Sequence, residues 1–199
     1  MNNETTAQER KEALRRSVLP LRTEAARDTA ATEALLERLM SRSVWREAKT
    51  ILAYLAMPTE IDIDALIGTA LATGKTVAVP VLTKARGIMQ AVRLDNLEAV
   101  VPRTWGIREP RDVTAVVAPQ AIDLVLVPGT AFGKDGARLG AGGGYYDRYL
   151  PQTDAFRLGI AAECMLTEDI PMTATDAVMD AVVTEAAWYT PREGAERRK

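Results

Sequence analysis

Seven glycines fall within the run Pro128-Gly129-Thr130-Ala131-Phe132-Gly133-Lys134-Asp135-Gly136-Ala137-Arg138-Leu139-Gly140-Ala141-Gly142-Gly143-Gly144-Tyr145-Tyr146-Asp147-Arg148. Glycine lets neighbouring backbone amides turn to one side. Amides that converge in this way attract anions, and a helix opening at the end of the loop adds its positive end. Polyphosphate is the natural guest. Arg138 and Asp147 bracket the loop, one a cation suited to phosphate and the other a carboxylate suited to magnesium. A flexible surface turn would be the plain reading for an isolated pair of glycines, but the density here favours a cradle. Two common phosphate loops are excluded by spacing. Gly133-Lys134 is followed by Asp135 instead of Ser or Thr, and a dinucleotide fingerprint begun at Gly140 meets Tyr145 where its last glycine belongs.

What the chain lacks narrows the chemistry further. It contains no histidine and a single cysteine, Cys164, which reads as a small core residue. Ser-His-Asp and Cys-His mechanisms are therefore excluded, as are an internal disulfide and a cysteine-based zinc site. Proton transfers must fall to carboxylates, Lys, Tyr, substrate or water. With 25 basic against 27 acidic residues, the net charge of -2 gives no reason to expect nucleic acid or a membrane as partner. No apolar run approaches the ~20 residues of a spanning helix, and the first twenty residues lack the apolar centre of a signal peptide, so a cytoplasmic location is expected.

These residues need a scaffold, and the periodicities describe one. Gln8 to Met40 reads as two helices divided or kinked at Pro20, with Leu14, Val18 and Leu21 on one apolar face and Leu35, Leu36 and Leu39 on another. Thr50 to Leu55 is a short apolar run ending before Pro58, which suits a strand buried on both faces. Asp62 is placed to cap a helix running to Leu71 that Gly74 ends, and Thr76 to Val81 is the next strand. Strand, helix, strand implies a right-handed parallel crossover. Met89 to Leu94 reads as an edge strand, Asp95 to Pro119 as turns around Trp105, and Leu124 to Val127 as a second fully apolar strand. A helix follows the glycine loop at Tyr145 to Leu150, with short strands at Leu158 to Ala162 and Ala181 to Thr184. The sum is one α/β domain over residues 1–190, a three-layer α/β/α sandwich with a mostly parallel, Rossmann-like central sheet. Residues 191–199 read as a disordered polar tail. In such folds ligands bind beyond the carboxyl ends of the strands, which points to the loops after Leu55 and Val127.

A strand ending in Pro-Gly, followed by Phe, Gly, Arg-Leu-Gly, further glycines and Tyr-Tyr-Asp, resembles the signature of the 5-formyltetrahydrofolate cyclo-ligases, also called methenyltetrahydrofolate synthetases. The match runs from Asp123 to Asp147. Lys11-Glu12-Ala13-Leu14-Arg15 resembles the family's N-terminal Lys-x-x-Leu-Arg, Met57 to Ile61 its acidic substrate turn, and Gly106-Ile107-Arg108-Glu109-Pro110 its Gly-x-x-Glu-Pro. The resemblance implies that Lys11, Arg15 and Arg138 act on the transferred phosphoryl group. Lys11, Arg15, Arg138, Leu139, Gly140, Ala141, Gly142, Gly143, Gly144, Tyr145 and Tyr146 would hold ATP. Leu55, Glu60, Arg15, Gly142, Gly143, Gly144 and Tyr145 would meet the folate, with Glu60 suited to the donor groups of a pterin. Asp147 and Asp176 would hold Mg2+. Taken singly, each of these residues has a plainer reading, as a solvated cation, an anchoring ring or a cap. Thr175 stands where the family commonly has His, Gly133 where Asp is common, and Ala141 where a larger residue is usual.

The implied reaction is ATP-dependent closure of 5-formyltetrahydrofolate to 5,10-methenyltetrahydrofolate. The γ-phosphoryl group passes to the formyl oxygen, nitrogen 10 attacks, and ADP and phosphate leave. Such chemistry needs positioning and charge neutralisation more than a protein nucleophile, so a chain without histidine can perform it. The partner would be a small folate, with or without a polyglutamate chain, and the enzyme a monomer or weak dimer. One rival is a non-catalytic nucleotide- or folate-binding regulator on the same fold. Another is an enzyme of sugar phosphates or CoA esters, which would need no ATP.

Overall fold

The computed structural model describes residues 2–103 and 107–191. Five helices are formed by Asn2–Ala25 (α1), Thr29–Met40 (α2), Ser43–Glu47 (α3), Asp64–Ala72 (α4) and Tyr145–Tyr149 (α5). The strands are Thr50–Leu52 (β1), Thr76–Leu82 (β2), Met89–Leu94 (β3), Val100–Pro102 (β4), Arg108–Pro110 (β5), Val116–Val117 (β6), Leu124–Val127 (β7), Ala131–Phe132 (β8), Arg138–Leu139 (β9), Phe156–Ile160 (β10), Ala181–Val183 (β11) and Trp188–Tyr189 (β12). An eight-stranded sheet has the order β12-β11-β10-β7-β1-β2-β3-β6, and β4-β5 and β8-β9 form two small ribbons.

From β11 to β2 the five neighbours run parallel, while β12 at one end and β3 at the other run antiparallel to them, and β6 pairs antiparallel with β3. The α/β class with a mostly parallel sheet is therefore as the sequence implied. Every residue of β7 is buried, because the strand lies mid-sheet and is covered on both faces. Taking the parallel strands in chain order, their arrangement is second, first, third, fourth, fifth, so the direction of winding reverses between β1 and β7. A crevice must open at that reversal beyond the carboxyl ends of the two strands. The Leu55–Glu60 turn leaves β1 there, and the glycine-rich loop leaves β7.

Six local expectations need correction. The helix α1 continues through Pro20 to Ala25. An interior proline costs about 3 kcal/mol, but side chains on both sides of it anchor the helix, and the break comes only at Asp28, whose carboxylate caps α2 at the Ala31 amide. Leu21 is exposed, while its neighbour Arg22 is buried, because this face of α1 rests on polar loops. Helix α4 starts at Asp64; Asp62 accepts its amide at 2.9 Å in a turn just ahead of the helix. The strand β3 is not an edge, since β6 pairs along its outer side.

Cys164 is exposed, in a one-turn 3-10 helix where Met165 takes the buried position. Strand β1 stops at Leu52, although the Ala53 amide still bonds the Ala78 carbonyl at 2.9 Å and the backbone then turns toward the crevice with Leu55 buried. Residues 192–199 of the expected tail, and Trp105 with its neighbours, lie outside the described residues. No helix among them is long and apolar enough to cross a membrane.

Candidate active site

Helix α1 lies across the crevice and contributes its cations at a fixed spacing. Lys11, Arg15, Val18 and Arg22 follow one another at intervals of four, three and four residues, which keeps them on one side of the helix. Val18 is buried between the charges and fastens the helix to the core. Lys11 is also buried, with Nζ donating to Oδ2 of Asp176 at 2.5 Å. Arg15 donates through Nε to the Gly140 carbonyl at 2.9 Å, which lays its guanidinium against Gly142.

The glycine loop divides into two parts. The first is the β8-β9 hairpin, closed by the Gly133 amide on the Ala137 carbonyl, in which Phe132 faces Arg138 in register. Arg138 is almost enclosed, with 3 % of its side chain exposed. Its Nη1 donates to the Pro128 carbonyl at 3.1 Å and its Nη2 to Oδ1 of Asp147 at 2.8 Å. The guanidinium lies 5.6 Å from the centre of the Tyr146 ring. A Cβ on Gly140 would sit 2.9 Å from Nη1 of Arg138 and so press on the clamped guanidinium.

The second part is residues 141–144, whose four consecutive amides donate to no group among the described residues. Gly142 and Gly144 take positive φ angles of 103° and 68°, and Gly144 leads directly into α5. Arg148, one turn into α5, donates to the carbonyls of Gly143 and Gly144 at 3.0 Å, so those oxygens are held on the side of Arg148. Free amides on a glycine backbone, with Arg15 and Arg138 alongside, make a cradle for an anion.

Asp147 and Asp176 come together although 29 positions separate them (176 − 147), because the amide of Ala177 donates to Oδ1 of Asp147 at 3.2 Å. Each carboxylate thus neutralises one of the phosphate-directed cations. Burial pushes the Asp176 carboxyl up, but hydrogen bonds from Lys11 and from the amide and hydroxyl of Thr173 outweigh it and hold the group below its ordinary range. Thr175, in the place of the family's usual histidine, supports this arrangement. Because the Thr173 hydroxyl gives its proton to Asp176 at 2.8 Å, the Thr175 hydroxyl 3.2 Å away donates to Thr173.

A pH dependence of stability follows. A carboxyl whose folded pKa is depressed contributes stability that is complete above its unfolded value, about 4, and is lost as pH falls through the folded value. The difference in urea midpoint between the natural protein and Asp176→Asn is expected to be full at pH 6 and to shrink below about pH 4. A difference that stays constant down to pH 2 would show that Lys11 does not depend on this charge.

Glu60 stands in the turn after β1. Its amide donates to the Met57 carbonyl at 2.8 Å, and its Oε2 accepts the Met57 amide at 3.0 Å. Its Oε1 accepts from Nη2 of Arg22 at 2.9 Å. Beneath this turn, buried Tyr54 donates its hydroxyl to the Ile61 carbonyl at 2.9 Å. The Tyr146 hydroxyl is buried and has no hydrogen-bond partner among the described residues. Burial, reinforced by the charge of Glu60, raises its pKa well above the ordinary phenol value, so it stays protonated and available as a donor.

The residue pattern therefore gathers Lys11, Arg15, Arg138, Asp147, Asp176 and the loop amides around one crevice, with Glu60 on its other wall. Lys134 is directed elsewhere, its Nζ 4.9 Å from the centre of the Tyr189 ring. Sequence reading passed over Arg22 and Tyr54, both buried beside Glu60. The intervals along α1 were the signal for Arg22.

A family model described as the 5-formyltetrahydrofolate cyclo-ligase family matches residues 7–185. The chain belongs to that family. The match takes in both Lys11 on α1 and Asp176 at the far side of the crevice, so it spans every wall of the crevice described above. A probable 5-formyltetrahydrofolate cyclo-ligase of Caenorhabditis elegans is 34% identical, with 77% of this chain and 81% of the relative covered. The 5-formyltetrahydrofolate cyclo-ligase of Escherichia coli K12 is 31% identical, with 85% and 93% covered. The solved 5,10-methenyltetrahydrofolate synthetase of Aquifex aeolicus superposes with a TM-score of 0.80 at 28% identity, over 95% of this chain and 96% of that one.

Proposed function

We infer that this protein closes 5-formyltetrahydrofolate to 5,10-methenyltetrahydrofolate at the expense of ATP, as a cyclo-ligase of residues 1–190. The observation that carries the reading is the joining of a phosphate cradle to a carboxylate wall in one crevice, in a chain whose family acts in this way. Nothing found favours the regulator or the sugar-phosphate reading.

The chemistry assigns work to each wall. A formyl oxygen on nitrogen is a poor leaving group until the γ-phosphoryl group of ATP is transferred to it. Nitrogen 10 then attacks the formyl carbon, the C–O bond breaks, and phosphate departs and can carry away the proton that nitrogen 10 loses. Lys11, Arg15 and Arg138 neutralise the phosphoryl group in flight, and the amides of 141–144 orient the phosphates. Leu55 and Glu60 hold the pterin, with Gly142, Gly143, Gly144 and Tyr145 against the formyl end. The Tyr146 hydroxyl is a further protonated donor beside the reacting oxygen. No histidine is needed at any step.

Asp147 fits magnesium as a single-carboxylate ligand. One of its oxygens carries Arg138 and the Ala177 amide, while 22% of the side chain remains exposed. Among the described residues no group of three metal-binding side chains exists, so the ion would arrive with the nucleotide, held chiefly by its phosphates. Bound there, it supplies further neutralisation of phosphate charge. Asp176 would act from the next position, sharing Lys11. We place the enzyme in the cytoplasm as a monomer or weak dimer that acts on a small folate.

The test mixes the purified protein with 5-formyltetrahydrofolate and Mg-ATP and follows the near-ultraviolet absorbance of the methenyl product. The band is expected to grow only with ATP. In Asp147→Ala, the rate is expected to fall about 100-fold at fixed magnesium and the magnesium requirement to rise. Absence of the band despite measurable ATP and folate binding would establish the regulator instead.

A further inference from the structure

Arg22 is a buried charge that neither the phosphate chemistry nor the hydrophobic core requires. Its residue surface is 9% exposed, and it makes its ion pair with Glu60 where only 10% and 15% of the two side chains meet solvent. Placing two charges out of water is costly, and a pair of apolar residues would serve stability as well or better. The arrangement is also incomplete as a structural bond. One η nitrogen meets one carboxylate oxygen, whereas a closed arginine–carboxylate fork uses two parallel bonds. The Nε–H of Arg22 is buried and has no hydrogen-bond partner among the described residues. A buried donor left without an acceptor is destabilising, and a ligand's acceptor would relieve it.

The surroundings say which ligand. Glu60 is fixed by Arg22 on one oxygen and by the Met57 amide on the other, so the carboxylate plane cannot swing. Along α1, Arg22 follows Arg15 by seven residues on the same face, and Arg15 touches the glycine loop. The Arg22–Glu60 pair therefore lies within the crevice, on the wall opposite the phosphates. Its charge is felt there, for Glu60 acts on the hydroxyls of both Tyr54 and Tyr146. A fixed acceptor beside a spare donor matches a flat heterocycle that presents N–H groups next to a ring carbonyl, which is the pattern of the pterin ring.

We propose that Arg22 is a positioning residue for Glu60 and a specificity determinant for the folate: it locks the carboxylate that accepts the pterin's N–H groups and turns its own Nε–H to the neighbouring ring carbonyl. This rests on the cyclo-ligase reading. It predicts a split between the two substrates that a merely structural bridge would not produce.

In the complete enzyme, Arg22→Met is expected to raise KM for 5-formyltetrahydrofolate at least about tenfold, as the loss of a buried, charge-assisted contact should. The KM for ATP, and kcat at saturating folate, should stay within about twofold, since uniform binding is what is lost. Arg22→Lys keeps the charge but not the Nε–H, and is expected to recover only part of the loss. Should Arg22→Met fold poorly because Glu60 is left buried and alone, the Arg22→Met/Glu60→Gln double variant removes both charges. Its folate KM should rise by less than the product of the two single effects, because part of the action of Arg22 runs through Glu60 and only the Nε–H contact is its own. Unchanged folate KM, equal rises in both KM values, or simple addition of the two single effects would each overturn the proposal while leaving the cyclo-ligase intact. A natural protein that makes no methenyl product would remove the cyclo-ligase reading and this inference with it.

Discussion

Replacing Arg138 by methionine is expected to lower kcat about 1,000-fold, the scale seen when a preorganised charge donor is removed from a developing oxyanion or phosphoryl group. The size follows from how this guanidinium is held. It is nearly enclosed, clamped between the Pro128 carbonyl and Asp147, and backed by the Tyr146 ring. A charge fixed in this way needs no reorganisation when the phosphoryl group passes, and the low-dielectric surroundings enlarge its effect. Its Nε is buried and unpartnered among the described residues, so the group retains a donor for a ligand. Arg138→Lys keeps a positive charge but cannot reach both Pro128 and Asp147 in one plane, and should recover only a minor part of the rate. Single-turnover absorbance kinetics at saturating Mg-ATP and folate would measure this directly. A melt run alongside separates the rate loss from the destabilisation caused by leaving Asp147 without its partner. A kcat within tenfold of the natural enzyme would remove Arg138 from the transferring site.

The features that sequence reading found were those with a local signal. The glycine loop shows its density, and strands β1, β2, β7, β10 and β11 show short apolar runs, so the fold class and the two loops that border the crevice followed. The features it missed depend on contacts remote in the chain. Lys11 meets Asp176 across 165 positions, and no period in a single sequence connects them. The inward face of α1 is the clearest case. Leu14 and Val18 of the expected apolar stripe do pack against the core, but around them α1 docks on loops that present carbonyls and carboxylates. Long cations therefore replace leucine, Arg22 turns in and Leu21 turns out. Proline's penalty at position 20 was correctly signed but too small to decide the outcome against those anchors. Glu60 was legible as an acid in a turn, while the lock placed on it was not.

The cradle in turn depends on one core side chain, and Phe132→Ala is expected to show how strongly. Phe132 is fully buried, and its ring passes between two glycines: a Cβ on Gly129 would lie 2.5 Å from the ring, and one on Gly159 2.6 Å from it. The ring thus fills the space that two missing side chains leave between the start of the loop and β10. The same residue's backbone is in register with Arg138, and its carbonyl accepts the Thr167 amide at 2.9 Å. Neither glycine can enlarge to fill the space left by the ring, so truncation should leave a cavity and cost about 3–5 kcal/mol. That corresponds to a fall in melting temperature on the order of 10 °C for a chain of this size. Urea unfolding should show a lower midpoint with an unchanged slope. The residual activity of the folded fraction should fall as well, since β9 loses the wedge that fixes Arg138. Gly159→Ala tests the same contact from the other side, because the added methyl meets the ring and overpacking costs about 1–3 kcal/mol. Destabilisation by Phe132→Ala of less than about 1 kcal/mol, far below the range for a buried phenylalanine, would mean that the loop is held in place by its own hydrogen bonds.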